Sequence, residues 1–101
     1  MSIASNLQAV TKTADAAAIS GRTRVNGIYY TCGGTASSFS LKNGSTTGAT
    51  ALVTINTPAA AGAYDIMIPD MGILFTNGVF IDVADANVLS VTLLFEGGAA
   101  A

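Results

Sequence analysis

Val88-Leu89-Ser90-Val91-Thr92-Leu93-Leu94-Phe95 is the stretch whose reading decides the fold class. Successive side chains of a strand point to opposite faces. Here Leu89, Val91, Leu93 and Phe95 fall on one face and Ser90, Thr92 and Leu94 on the other. The period is two, not the 3.6 of an amphipathic helix, so the segment reads as a half-buried strand with the first set inward.

The same period runs back through the chain. Val79, Ile81 and Val83 alternate with Phe80 and Asp82, and Asp85-Ala86-Asn87 is a turn. Ile73-Leu74-Phe75 is a short strand closed by Asn77-Gly78, and Tyr64, Ile66 and Ile68 oppose Asp65 and Met67 before Pro69-Asp70 stops the segment. Between Thr50 and Asn56, Ala51, Val53 and Ile55 face inward against Leu52, Thr54 and Asn56 outward; Phe39 and Leu41 oppose Ser38 and Ser40. Asn43-Gly44, a dipeptide that tolerates positive φ, sits between those two segments. In Arg22–Cys32, Thr23, Val25 and Tyr29 share a face opposite Arg24, Ile28 and Tyr30, provided that Gly27 does not introduce a bulge. A strand over 10–19 precedes it. Residues 1–8 are expected to form an arm and residues 97–101, all glycine and alanine, a frayed tail. About eight short strands at regular spacing predict an all-β chain: a single antiparallel β-sandwich over 1–101, jelly-roll-like.

Composition restricts the function. Of 101 residues half are hydrophobic and 10% charged, with no histidine and no tryptophan. An ordinary soluble domain is about a quarter charged. The mean hydropathy is +0.55, more apolar than one small core requires. No run approaches the ~20 apolar residues of a spanning helix, and the first residues lack a basic region followed by an apolar one, so a membrane partner and secretion are not expected. Lys12, Arg22, Arg24 and Lys42 are scattered through a chain of net charge −2, which argues against nucleic-acid binding. The reading is an assembly component whose neutral surface is meant to be covered.

Chemistry has few candidates. Without histidine there is no Ser–His or Cys–His pair, and Cys32, the single cysteine, reads as a small half-buried residue at a strand end. Asp65/Asp70 and Asp82/Asp85 are close in sequence, but they read as turn residues and solvated strand positions rather than as a paired-carboxylate site. Asp82, Asp85 and Asn87 lack the glycine and distal glutamate of an EF-hand loop. No enzyme activity, metal or cofactor is expected. Tyr29-Tyr30 places one ring inside and one outside, and an exposed tyrosine suits a partner or a sugar; a small carbohydrate-binding module using Tyr30 or Tyr64 is the alternative from another class.

The run from Gly27-Ile28-Tyr29-Tyr30-Thr31 through Phe39 and Leu41-Lys42 to Gly44 resembles small β-rich virion proteins of tailed bacteriophages, especially those of marine and cyanobacterial hosts. Leu52-Val53-Thr54-Ile55-Asn56-Thr57-Pro58, Ile73-Leu74-Phe75 and Ser90–Phe95 continue the likeness over nearly the whole chain. The resemblance implies a capsid decoration or cement protein, with a tail, head-fibre or adaptor component as the alternative, assembled in the host cytoplasm and located in the virion. It implies as partners the major capsid protein or other virion proteins and copies of this chain, a trimer being the expected homo-oligomer. Leu52, Phe80 and Leu94, apolar and opposite the core faces, together with Tyr30, are the expected interface residues.

Overall fold

The computed structural model describes residues 7–101. Valine, isoleucine, threonine and aromatic side chains, broken at short intervals by Gly, Asn, Asp and Pro, give strands and turns only. These are β1 (Gln8–Lys12), β2 (Ala16–Ser20), β3 (Thr23–Cys32), β4 (Ser37–Asn43), β5 (Thr50–Thr57), β6 (Gly62–Met67), β7 (Ile73–Phe75), β8 (Val79–Val83), β9 (Val88–Glu96) and β10 (Ala99–Ala100).

Two antiparallel sheets result. The first has the order β1-β9-β3-β6, with β7 also on β3; the second has the order β10-β2-β8-β4-β5. The pairings share one logic. β1 pairs with β9, β2 with β8, β3 with β6 and β7, and β4 with β5. The chain is thus one long antiparallel double strand, doubled back between β4 and β5. Rolling that double strand brings β3 against β9 and β4 against β8, which is the winding of a jelly roll. The molecule is an all-β sandwich, as the alternation predicts.

The inner faces meet in a single core: Val25, Ile28, Tyr30, Cys32, Val91, Leu93 and Phe95 come from the first sheet, and Ala18, Ile19, Phe39, Leu41, Val79 and Ile81 from the second. Val53, Ile55, Tyr64 and Ile66, on β5 and β6 at one side of the sandwich, are half-buried against it.

Four bulges set which residues reach this core. Asn26 is the extra residue of β3 against β9, so Thr23 and Val25 face inward before it, and Ile28, Tyr30 and Cys32 after it. Leu89 is the extra residue of β9; Val88 is buried in its place and Leu89 is 52% exposed, which corrects the inward placement expected for it. Leu52 is the extra residue of β5, and beyond it Ala51 is exposed rather than inward. Ala18 does the same on β2. A bulge puts two residues opposite one and reverses the faces beyond it.

Two further expectations are corrected. The strand over 10–19 is two strands, because Thr13-Ala14-Asp15 carries the chain from one sheet to the other, with Asp15 accepting a hydrogen bond from the Val83 N–H at 2.8 Å. The tail 97–101 is held. Gly97 and Gly98, at φ 77° and 68°, turn the chain across the sandwich. Ala99 and Ala100 then pair with Ser20 and Ile19, and the Ala101 N–H donates to the Ala18 carbonyl at 2.9 Å. Of the arm expected over 1–8, residues 1–6 lie outside the described residues, and Gln8 already belongs to β1.

Candidate interaction surface

The outer face of the first sheet is built in cross-strand rows. Ala9 on β1, Leu94 on β9, Gly27 on β3 and Met67 on β6 stand side by side; the next row is Thr11, Thr92, Tyr29 and Asp65; the next is Ser90, Thr31 and Ala63. The first row is apolar. Met67 is 62% exposed. Gly27 lies under its neighbours, for a Cβ there would stand 3.2 Å from Leu94 Cδ1 and 3.3 Å from Met67 Sδ. The other rows are hydroxyl ladders. Thr11 and Thr92 share a hydrogen bond of 2.7 Å, and Thr31 and Ser90 one of 2.6 Å. Small residues beside the Tyr29 ring leave a depression of about 160 Å³, lined also by Asp65, Ser90 and Thr92.

On the outer face of the second sheet Phe80 is covered, while Leu52 on the edge strand is exposed. Phe80 stands opposite the core, as its position in the alternation predicts, yet it is only 8% exposed. Its cross-strand neighbours are Lys42 and Ala17. The Lys42 ammonium is fixed at two points, 2.6 Å from an Asp82 carboxylate oxygen and 2.5 Å from the Thr47 carbonyl. Directly opposite on the same face, Lys42 is placed within reach of the ring, and a long cationic side chain there can cover apolar surface with its hydrocarbon stem.

The four expected interface residues therefore separate. Leu52 is 44% exposed, and Leu94 is half-buried on the open apolar row. Phe80 is covered within the chain, which corrects its expected exposure. Tyr30 is a core residue at 7% exposure. It packs edge-on to Phe39 with ring centroids 5.3 Å apart and stacks on Tyr64 at 5.4 Å. Burial, then the nearby Cys32 and Tyr64, push its hydroxyl above the ordinary value. Tyr64 in turn donates to the Ala60 carbonyl at 2.9 Å. Both rings named in the carbohydrate alternative are thus engaged internally. The exposed ring of the pair is Tyr29, at 42%, and the missed signal is the Asn26 bulge ahead of it.

The acidic pairs are also separated. Asp82 faces Lys42. One Asp85 oxygen accepts from the Asn87 N–H at 2.8 Å, the Ser37 hydroxyl at 2.9 Å and the Asn87 amide at 3.1 Å. Those hydrogen bonds, the backbone one foremost, hold the Asp85 carboxyl below the usual carboxylate value. Asp65 lies in a strand and Asp70 in the turn that follows it, at φ 58°. Among the described residues no group of three metal-ligating side chains gathers, and no helix is long and apolar enough to cross a membrane.

No family model matches the sequence, and no curated protein matches it. The solved structures to which it is loosely similar include two of known origin. One is the coat protein of Tobacco streak virus, 10% identical with a TM-score of 0.43, the match covering 98% of this chain and 91% of that one. The other comes from Bacillus endospore appendages, described as a family of disulfide-linked pili, 14% identical with a TM-score of 0.39, covering 94% and 92%. No residue or role passes from either to this chain.

Proposed function

We propose that this chain is a non-catalytic structural protein of a virion: a decoration or cement protein on the capsid of a tailed bacteriophage. In this reading it binds the major capsid protein and copies of itself, as a trimer by the resemblance noted above. The observation that carries the reading is the jelly-roll winding together with a sparsely charged outer face on which Leu94, Gly27 and Met67 form an open apolar row. Jelly rolls recur in viral capsid domains, and also in lectins and cupins, so the winding alone is analogy; the weakly charged surface favours the structural member of that set. A tail, head-fibre or adaptor location would use the same surface. The test is mass spectrometry of gradient-purified particles, followed by a density map. The expected result is a stoichiometric virion component whose density lies on the capsid shell. Its absence from purified particles overturns the proposal, and density on the tail moves it to the adaptor reading.

One observation favours a second reading. Tyr29 and Asp65 flank the depression floored by Thr31, Ser90 and Ala63, and an exposed ring beside a carboxylate and hydroxyls suits the apolar face and hydroxyls of a saccharide. Glycan-array binding abolished by Tyr29→Ala supports it; an array without signal removes it.

A further inference from the structure

We propose that two copies of this chain join through β5, strand against strand across a two-fold axis at Thr54, so that the second sheet runs unbroken through the dimer. The inference rests on the self-association in the proposed function alone and gives it another form, a two-fold dimer in place of the trimer that the resemblance implies.

The edges of the two sheets differ in how they are protected. β10 is only two residues long, and β1 carries Lys12. The β6–β7 edge carries Asp65 and is interrupted by Pro69 and a left-handed turn through Asp70, Met71 and Gly72, at φ 58°, 68° and 84°. Short strands, charges and interruptions are the usual defences of a sheet edge against pairing with another chain. β5 has neither the charge nor the shortness of the others: Thr50-Ala51-Leu52-Val53-Thr54-Ile55-Asn56-Thr57 holds no charge, no proline and no glycine. Only the bulge at Leu52 interrupts it.

The direction of its free hydrogen-bonding groups follows from β4. The N–H and C=O of one strand residue point to the same side, alternating along the strand. The Ser38 carbonyl accepts from the Ala84 N–H at 2.9 Å, and the Gly44 N–H donates to the Gly78 carbonyl at 3.1 Å. Even-numbered residues of β4 therefore address β8, and Phe39 and Leu41 address β5. Their partners there are Ile55 and Val53. Thr54 and Asn56 consequently aim their backbone groups off the free edge.

A strand from another protein offers the same hydrogen bonds, but the side chains favour a second copy. With Thr54 opposite itself, each Val53 faces Ile55 of the other copy on the inner side, and Leu52 faces Asn56 on the outer side. The inner pairs are apolar and β-branched, of the kind that stabilises cross-strand neighbours. Val53 and Ile55 are only half-buried in the single chain, so a second β5 extends the cover over that side of the core. No like charges meet.

The test is sedimentation of the isolated protein over a concentration series, with two proline variants. The wild type is expected as a dimer. Thr54→Pro removes an N–H that only the second copy would use, so it should give a monomer whose thermal midpoint matches that of the wild type diluted until it is monomeric. Val53→Pro removes one that β4 uses and should lower the midpoint itself. In a hydrogen-bonded antiparallel pair the facing Cα atoms are about 5.5 Å apart, within disulfide reach. Thr54→Cys should therefore form an oxidised dimer that Asn56→Cys does not. A wild-type monomer throughout the series overturns the inference. So does a dimer or trimer whose mass Thr54→Pro leaves intact and which Thr54→Cys does not cross-link. These readings use the isolated chain, so they are distinguishable from a failure to find the protein in particles.

Discussion

Phe80 and Leu94 both stand on outer faces, one on each sheet, and only Phe80 is covered from within the chain. On the second sheet Phe80 is 8% exposed, and its cross-strand neighbour Lys42 is anchored by Asp82 and Thr47. On the first sheet Leu94 has Gly27 on one side and Ala9 on the other, too small to cover it, and Met67 beyond remains 62% exposed. An apolar residue opposite the core is therefore not by itself a contact surface. What matters is what its neighbours can lay across it.

The largest expected effect tests the inner face against the outer. Leu93→Ala should cost about 2–5 kcal/mol in urea unfolding, by lost burial and a cavity. Leu94→Ala, one residue on, should cost about 1 kcal/mol or less, as surface changes do. Equal costs would mean that the first sheet's outer face is closed too.

Covered and open outer residues can be separated next. Phe80→Ala should cost about 2 kcal/mol, below the range for a ring enclosed on all sides. Lys42→Ala should cost about 1 kcal/mol, through the lost stem more than the ion pair, and should increase binding of a hydrophobic dye. A dye signal unchanged by Lys42→Ala would show that something other than Lys42 shields Phe80.

A smaller effect measures how loosely the open row is held. Gly27→Ala places a methyl against the ends of Leu94 and Met67, which can swing toward solvent. The expected cost is below about 1 kcal/mol, whereas a rigid site would show the 1–3 kcal/mol typical of overpacking. Thermal midpoints of the two proteins decide between them.

The smallest effect is on the acid side. Asp85 has its folded-state carboxyl held below the ordinary value, so its contribution is fully present above that value. It fades as pH falls through the lowered one. Asp85→Asn should therefore lie closest to wild type in strong acid and fall below it toward neutrality. A constant offset at every pH would trace the effect to the turn's shape, not to its charge.

The sandwich itself was legible because alternation survives wherever no residue is inserted. Phe39 and Leu41 of β4 and Tyr64 and Ile66 of β6 face the core as the alternation places them, as do Val91, Leu93 and Phe95. Leu89, Ala51 and Tyr29 were misplaced by bulges, and a bulge leaves no mark in composition: Leu52 and Leu89 are ordinary strand residues. β10 was illegible for another reason. Ala99 and Ala100 have no strand preference, and their pairing with β2 comes from the turn at Gly97-Gly98 and from a free sheet edge. Of the surface, the sequence carried the apolar candidates but not their surroundings, since Lys42 and Phe80 become neighbours only once β4 and β8 are paired.

The rolled double strand also dictates a timetable for synthesis. Among the described strands β8 and β9 are made late, followed by the two residues of β10, and they are the inner members of their sheets: β9 separates β1 from β3, and β8 separates β2 from β4. Gln8 cannot meet Phe95 until every strand between them has been made. The β4–β5 hairpin, by contrast, joins strands that are neighbours in sequence. β1 and β2 therefore stay without these partners until β9 and β8 have left the ribosome.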